Sequence, residues 1–300
     1  MTPPASIQNL IRVRLRARVE RERRQVPLLS DRAIQKASVE AKLIGIGGGR
    51  QMENFIRCGN EEVFCTCRGC GTTEKFLYNC DRKWCPRCAP RLGLRRSAII
   101  KAWSGRISQP KHLVLTMRNF EVLTRRQIRN FTTALRKLRK HDSWEPVKGG
   151  CASVEITNED RGWHLHAHLL LDCKWLSMPE ISVEWGKLVS QEFGIVKIKD
   201  VRGTDYVQEV SKYCVKGSEL AGWPGERIWE FICAVKGNRL FFPFGTLRSQ
   251  MKAIRLELRQ LNASEKVCKC GCTEFLYQTE ADMILDEIRA SHGIHRRRRR

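Results

Sequence analysis

The chain has no long hydrophobic run. None of its stretches approaches the roughly 20 apolar residues that a helix needs to cross a bilayer. The N-terminus also lacks a continuous apolar signal segment. It is rich enough in arginine to suggest an organellar transit peptide, but Glu20, Glu22, Asp31 and Glu40 argue against one. Acidic residues are scarce relative to basic ones. Asp and Glu number 32 against 55 Lys and Arg, a formal net charge of +23. That excess is too large for an ordinary enzyme of small molecules and points to a polyanion. Gly47-Gly48-Gly49 lacks the Lys-Ser or Lys-Thr of a phosphate loop and reads as a hinge. Cysteine is the residue in surplus, at fourteen. With no secretion signal and short spacings between them, these cysteines point to metal-bound thiolates in a reducing cytoplasm.

The centre of the chain carries Gly162-Trp-His-Leu-His-Ala-His-Leu-Leu-Leu-Asp172. In a strand, residues two apart share a face. His164, His166 and His168 then line one face, and Leu165, Ala167, Leu169 and Leu171 pack on the other. Clustered imidazoles repel when protonated and lack partners when buried neutral, and a metal resolves both problems. His166 and His168 are the expected ligands. His164, at the strand entrance, takes a supporting or solvent-facing place. Glu155, on the preceding strand, is the candidate third ligand. Such a mixed site with open positions suits Mg²⁺ or Mn²⁺.

Downstream, Tyr206-Val-Gln-Glu-Val-Ser-Lys-Tyr-Cys-Val-Lys216 has helical character. Glu209 and Tyr213, four apart, share a face there. A tyrosine hydroxyl can attack a phosphodiester and form a reversible phosphotyrosine link. Glu209 is placed to accept the tyrosine proton or activate water, Lys212 and Lys216 to hold phosphate oxygens, and Tyr206 to stand as a reserve nucleophile.

Cys67-Arg-Gly-Cys70 and Cys85-Pro-Arg-Cys88 are two knuckles separated by fourteen residues, the spacing of a structural Zn²⁺ site. Cys80, Cys65 and Cys58 leave the ligand set open, because they could replace a knuckle cysteine or join a second site. Cys268, Cys270 and Cys272 are one ligand short of a site of their own. Cys151, Cys173, Cys214 and Cys233 are isolated and expected in the core. Strands are expected at His112–Met117, Cys151–Thr157, Trp163–Leu171 and Ile195–Val201, with an edge strand at Leu240–Phe244. Helices are expected at Leu123–Arg139, capped by Thr124, at Pro179–Phe193, ended by Gly194, and near 280–290. The pattern is α+β with an antiparallel sheet.

These residues resemble the HUH endonuclease superfamily, closest to its single-tyrosine rolling-circle plasmid replication initiators. His112-Leu-Val-Leu-Thr-Met-Arg-Asn119 resembles the first family strand, Gly162–His168 the metal block and Glu209–Tyr213 the nucleophile block. Cys80–Cys88 resembles the cysteine-rich segment that precedes them. Leu165 departs from the proline that many relatives carry. The resemblance implies an HUH catalytic domain with an N-terminal zinc-binding module, nicking of one strand at an origin, a covalent 5′ phosphotyrosine at Tyr213, and a free 3′ hydroxyl that primes host polymerase. Single-stranded and origin DNA, host helicase and host polymerase are the expected partners, with no membrane. The expected division is a basic arm over 1–54, a zinc module over 55–100, a catalytic domain over 101–255 and a cysteine-containing segment with an arginine tail over 256–300. An HUH-type transposase would use the same residues. A non-catalytic zinc-dependent nucleic-acid-binding regulator would explain the charge and the cysteines but not His166, His168, Glu209 and Tyr213 together.

Overall fold

The computed structural model describes residues 31–107, 109–159, 161–192, 194–201, 219–261, 268–279 and 282–283. The arm with its Ile11–Arg18 alternation, the segment carrying Tyr206, Glu209, Lys212, Tyr213, Cys214 and Lys216, all but residues 282 and 283 of the helix expected near 280–290, and the arginine tail lie outside the described residues. The chain divides into two compact units. Among the described residues, one unit gathers 48–80 with 268–279. The other comprises chiefly 35–47 and 81–261. No helix among the described residues is long and apolar enough to cross a membrane.

The larger unit is built on an antiparallel sheet of five strands, β3 (Pro110–Thr116), β4 (Gly149–Glu159), β5 (Gly162–Asp172), β6 (Val196–Asp200) and β7 (Phe241–Phe244), in the order β6-β3-β5-β4-β7. The histidine strand β5 is therefore central. Pro243 sits in an edge strand, where its missing N–H leaves no gap in the ladder. Strands β4 and β5 form one long hairpin, with Glu155 opposite His166 and Ser153 opposite His168.

The two faces of this sheet differ. On one face Leu113, Leu115, Val154, Ile156, Leu165, Ala167 and Leu169 are fully or almost fully buried. Trp163, at the end of the same face, packs against Trp223 and against Phe231 of α6 (Gly225–Val235). Helix α4 (Arg125–Leu138) lies against α6 and against α5 (Met178–Leu188). It buries Ile128, Phe131, Ala134, Leu135 and Leu138 and turns its arginines outward, as its sequence period requires. Thr124 caps it in a reciprocal pair with Gln127, worth about 1 kcal/mol. Helix α5 stops at Leu188, short of the expected Phe193. Ser190, at φ 59°, takes the left-handed turn, and Gln191 N–H donates to the Gly186 carbonyl at 2.8 Å. A serine gives no sequence signal for that turn.

The other face is split along its length. At one end Cys151 and Leu170 are covered by Ile100 and Trp103 of α3 (Ala89–Ser104) and by Leu247 and Ile254 of α7 (Gly245–Leu261). The apolar cover gives way where His168, His166 and His164 follow along β5. Cys151 and Cys173 are buried as expected, but Cys233 is exposed on α6.

In the smaller unit, α2 (Gly49–Arg57) precedes a three-stranded antiparallel sheet. Its strands β1 (Glu62–Cys67), β2 (Thr73–Leu77) and β8 (Phe275–Thr279) run in the order β2-β1-β8. Helix α1 (Asp31–Leu43) belongs chiefly to the larger unit, where Lys42 Nζ donates to the carbonyls of Ala221 and Trp223.

Candidate metal centre

Cross-strand partners in an antiparallel pair share a face. Glu155 therefore stands beside His166 and diagonal to His168, and all three project from the same face. The carboxylate lies between the imidazoles. Glu155 Oε2 is hydrogen-bonded to His166 Nε2 and lies 3.0 Å from His168 Nε2. One ligand atom from each residue falls within 4.8 Å of the other two. Glu155 and His168 are buried, and His166 is partly open. A carboxylate this buried needs positive charge or donors beside it. Two imidazole nitrogens supply donors in the free protein, and a cation could replace their protons. Two nitrogens and one oxygen, with no thiolate, suit a divalent ion of hard to intermediate character. The group could hold such an ion.

The second nitrogen of a ligand imidazole fixes its tautomer. His168 Nδ1 lies 3.3 Å from His112 Nε2 on β3, and the two rings stack with centroids 5.5 Å apart. With a cation in place of the Nε2 proton, a proton on His168 Nδ1, donated to His112, would leave the Nε2 lone pair for the ion. His166 Nδ1 is buried and finds no hydrogen-bond partner among the described residues. His164 is half-buried with its ring centroid 5.0 Å from that of His166, outside the convergent group.

Register reveals residues that the sequence alone did not single out. His112 faces Lys199 across the β3–β6 pair, and Val114 faces both Lys197 and His168. His112, Lys197 and Lys199 therefore share the metal face, and both lysines are exposed. The alternation Val196-Lys-Ile-Lys put the two lysines on one face, but only pairing identifies which.

The cysteines gather differently from the two-knuckle expectation. Cys67 and Cys70 converge with Cys268 and Cys270, their sulfurs within 4.8 Å of one another. Cys80, Cys85 and Cys88 are not in this group. Cys85 and Cys88 are buried in the turn that leads into α3, where Cys88 N–H donates to the Cys85 carbonyl. The Thr72 hydroxyl, 3.1 Å from Cys70 Sγ, together with the Thr72 backbone, draws the Cys70 thiol down to about 6. This four-sulfur group could also hold an ion.

A family model described as replication protein matches residues 75–278. That span covers the five-stranded sheet, the histidines, the segment with Tyr213 and β8 up to Gln278. The chain belongs to this replication-protein family, and the match is consistent with a rolling-circle plasmid initiator. No curated protein and no solved structure matched. Family membership implies a DNA-binding protein of plasmid replication, as the net charge of +23 suggests. The cysteine groups near the ends of the chain could form a zinc-binding module.

Proposed function

We propose that the chain nicks one strand of plasmid origin DNA, holds the 5′ end as a phosphotyrosine, and later rejoins the strand. The observation that carries this reading is the convergence of Glu155, His166 and His168 on the open half of a central strand in a replication-protein chain. A Mg²⁺ or Mn²⁺ ion held there would polarise the scissile phosphate. Tyr213 supplies the attacking oxygen. Its O–P bond forms as the bond from phosphorus to the 3′ oxygen breaks, and the released 3′ hydroxyl primes host polymerase once a host helicase has opened the duplex. Glu209 takes a proton from tyrosine or from the water that ends the cycle. Lys212 and Lys216 hold phosphate oxygens. The exposed Lys197 and Lys199, on the metal face, are suited to guide the strand toward it. The exchange of one phosphodiester for another is nearly isoenergetic, which makes closure of the displaced strand the same chemistry reversed. The reaction belongs in the cytoplasm, where plasmid, helicase and polymerase meet.

The test is incubation of the full chain with single-stranded circular DNA of the parent plasmid and Mn²⁺, followed by mass mapping of the modified residue. The sequence has 4 tyrosines, Tyr78, Tyr206, Tyr213 and Tyr277, so the adduct is assignable. The expected adduct is on Tyr213. Tyr213→Phe should lose cleavage by a factor of 10³ or more, of order ~4 kcal/mol in barrier, and still bind DNA. A Phe variant that forms the same yield of adduct removes Tyr213 from the role and passes it to Tyr206. A chain that binds the DNA but never cleaves it would instead support a non-catalytic regulator.

A further inference from the structure

Among the described residues, the sheet of the smaller unit has little apolar interior to hold its third strand. Its strands are 6, 5 and 5 residues long. Every residue of β2 is exposed, and on β8 Leu276 and Tyr277 are exposed as well. Only Cys65 and Cys67 of β1 are buried. A sheet this small and this open is marginal in water. Yet β8 pairs along the length of β1, from Val63 opposite Thr279 to Cys67 opposite Phe275, after about 200 residues of intervening chain. Something other than hydrophobic burial must offset the cost of bringing it there.

The four sulfurs stand where that force would act. Cys67 Sγ and Cys270 Sγ are 3.6 Å apart, and Cys70 Sγ and Cys268 Sγ 3.5 Å. Both separations are far beyond the ~2.05 Å of a disulfide. A tetrahedral zinc with bonds of about 2.3 Å sets its sulfurs about 3.8 Å apart. The two turns that carry them are built alike. Cys70 and Cys270 are each followed by a glycine with positive φ, Gly71 at 73° and Gly271 at 84°. In each turn that glycine's N–H donates to the carbonyl of the first cysteine, Cys67 or Cys268. Such a turn folds the chain back so that both thiols point to one place. The turns also meet directly. A Cβ on Gly69 would fall 3.0 Å from Cys272 Cβ, tighter than ordinary contact, so a larger residue there would push the turns apart by a few tenths of an ångström. Arg68 N–H donates to the Glu274 carbonyl at 3.0 Å. Cys272 is turned to its own backbone, with its sulfur 3.4 Å from Glu274 N.

We propose that Cys67, Cys70, Cys268 and Cys270 hold one Zn²⁺, and that this ion fastens the C-terminal strand β8 to the cysteine-rich sheet near the start of the chain. The site is composite. Each half is a two-thiolate hook, and neither closes a tetrahedron alone. Cys272, the third cysteine of the tail, is not a ligand. The proposal does not depend on the nicking chemistry.

The experiment is alkylation of the full-length zinc-loaded protein with iodoacetamide, mapped by mass spectrometry, beside zinc content per chain. Cys67, Cys70, Cys268 and Cys270 should be protected together and become reactive together when a chelator is added, while Cys272 reacts throughout. Cys268→Ser with Cys270→Ser should lose one zinc per chain relative to the parent, and Cys272→Ser should lose none. Protection of Cys272, or rapid alkylation of Cys268 and Cys270 with zinc bound, overturns the ligand set. So does a double variant that keeps its full zinc content. The alkylation pattern is read on the unmutated chain, so a double variant that fails to fold leaves the proposal open to refutation.

Discussion

Two of the metal-competent groups among the described residues are made in opposite ways. Glu155, His166 and His168 come from two adjacent strands of one hairpin, with the apolar side of the same strands anchored among Leu165, Ala167, Leu169, Val154 and Ile156. Their positions follow from core packing, and an ion would find them largely in place. The four cysteines come from turns about 200 residues apart on a sheet with almost no core. Here the ion would supply the structure. A catalytic centre gains from ligands fixed before the ion and substrate arrive, because nothing then has to be ordered during the reaction. A structural site has no such demand and can contribute its binding free energy directly to folding.

The largest expected effect breaks the two apart. Chelation of all metal should release β8, so that the amides of Phe275–Thr279 exchange at least ~10²-fold faster. The amides of Leu165, Ala167 and Leu169 should keep their protection, because a buried central strand opens only with the whole unit. Hydrogen exchange followed by mass spectrometry reads both at once. Equal loss of protection in β5 and β8 would show that the histidine face also depends on its ion, and the contrast would collapse.

The same contrast explains what the sequence revealed. His166, His168 and Glu155 lie within fourteen residues, and a two-residue period is the signature of a strand face. The alternation that exposes the histidines also buries Leu165 and Ala167, so core and site are written in one pattern. The helix at 125–138 was legible for a similar reason, with its cap and its apolar stripe both local. The pairing of Cys67 and Cys70 with Cys268 and Cys270 leaves no such trace. Spacing alone favoured Cys85 and Cys88 as their partners, and the tail's three cysteines looked one short because their missing ligands lay at the other end of the chain. The end of α5 was misjudged for a smaller reason, since Ser190 adopts a conformation usually signalled by glycine. His112 needed register. Its strand was recognisable, but not that β3 would set its ring against His168 rather than another residue of β5.

His112 supplies the next test, because a preformed site should be sensitive to what orients its ligands. His112→Phe keeps a ring to stack on His168 but removes the Nε2 acceptor. Loss of such an orienting partner typically costs 10- to 100-fold in metal affinity. Calorimetric titration with Mn²⁺ should show a loss in that range, with little change in thermal stability. Saturating Mn²⁺ should restore most of the cleavage rate, and His112→Gln, which retains an acceptor, should fall between the two. Unchanged Mn²⁺ affinity in His112→Phe would mean that β4 and β5 alone orient His168.

The smallest effect concerns the approach to the histidine face. Lys197 and Lys199 lie on the edge strand β6, exposed, and on the same side of the sheet as His112 and His168. If that face receives a single strand, each lysine that meets a phosphate releases about 0.7 of a counterion on binding. Lys197→Ala and Lys199→Ala should each reduce the slope of log K against log salt by about that amount, and the double variant by about twice as much. Cleavage at saturating DNA should be nearly unchanged, because neither lysine lies among the converging ligands. A double variant with the parent's salt slope would place the strand elsewhere on the sheet. A variant that loses cleavage without losing affinity would move the lysines from guidance into the chemistry, and with them the boundary of the site.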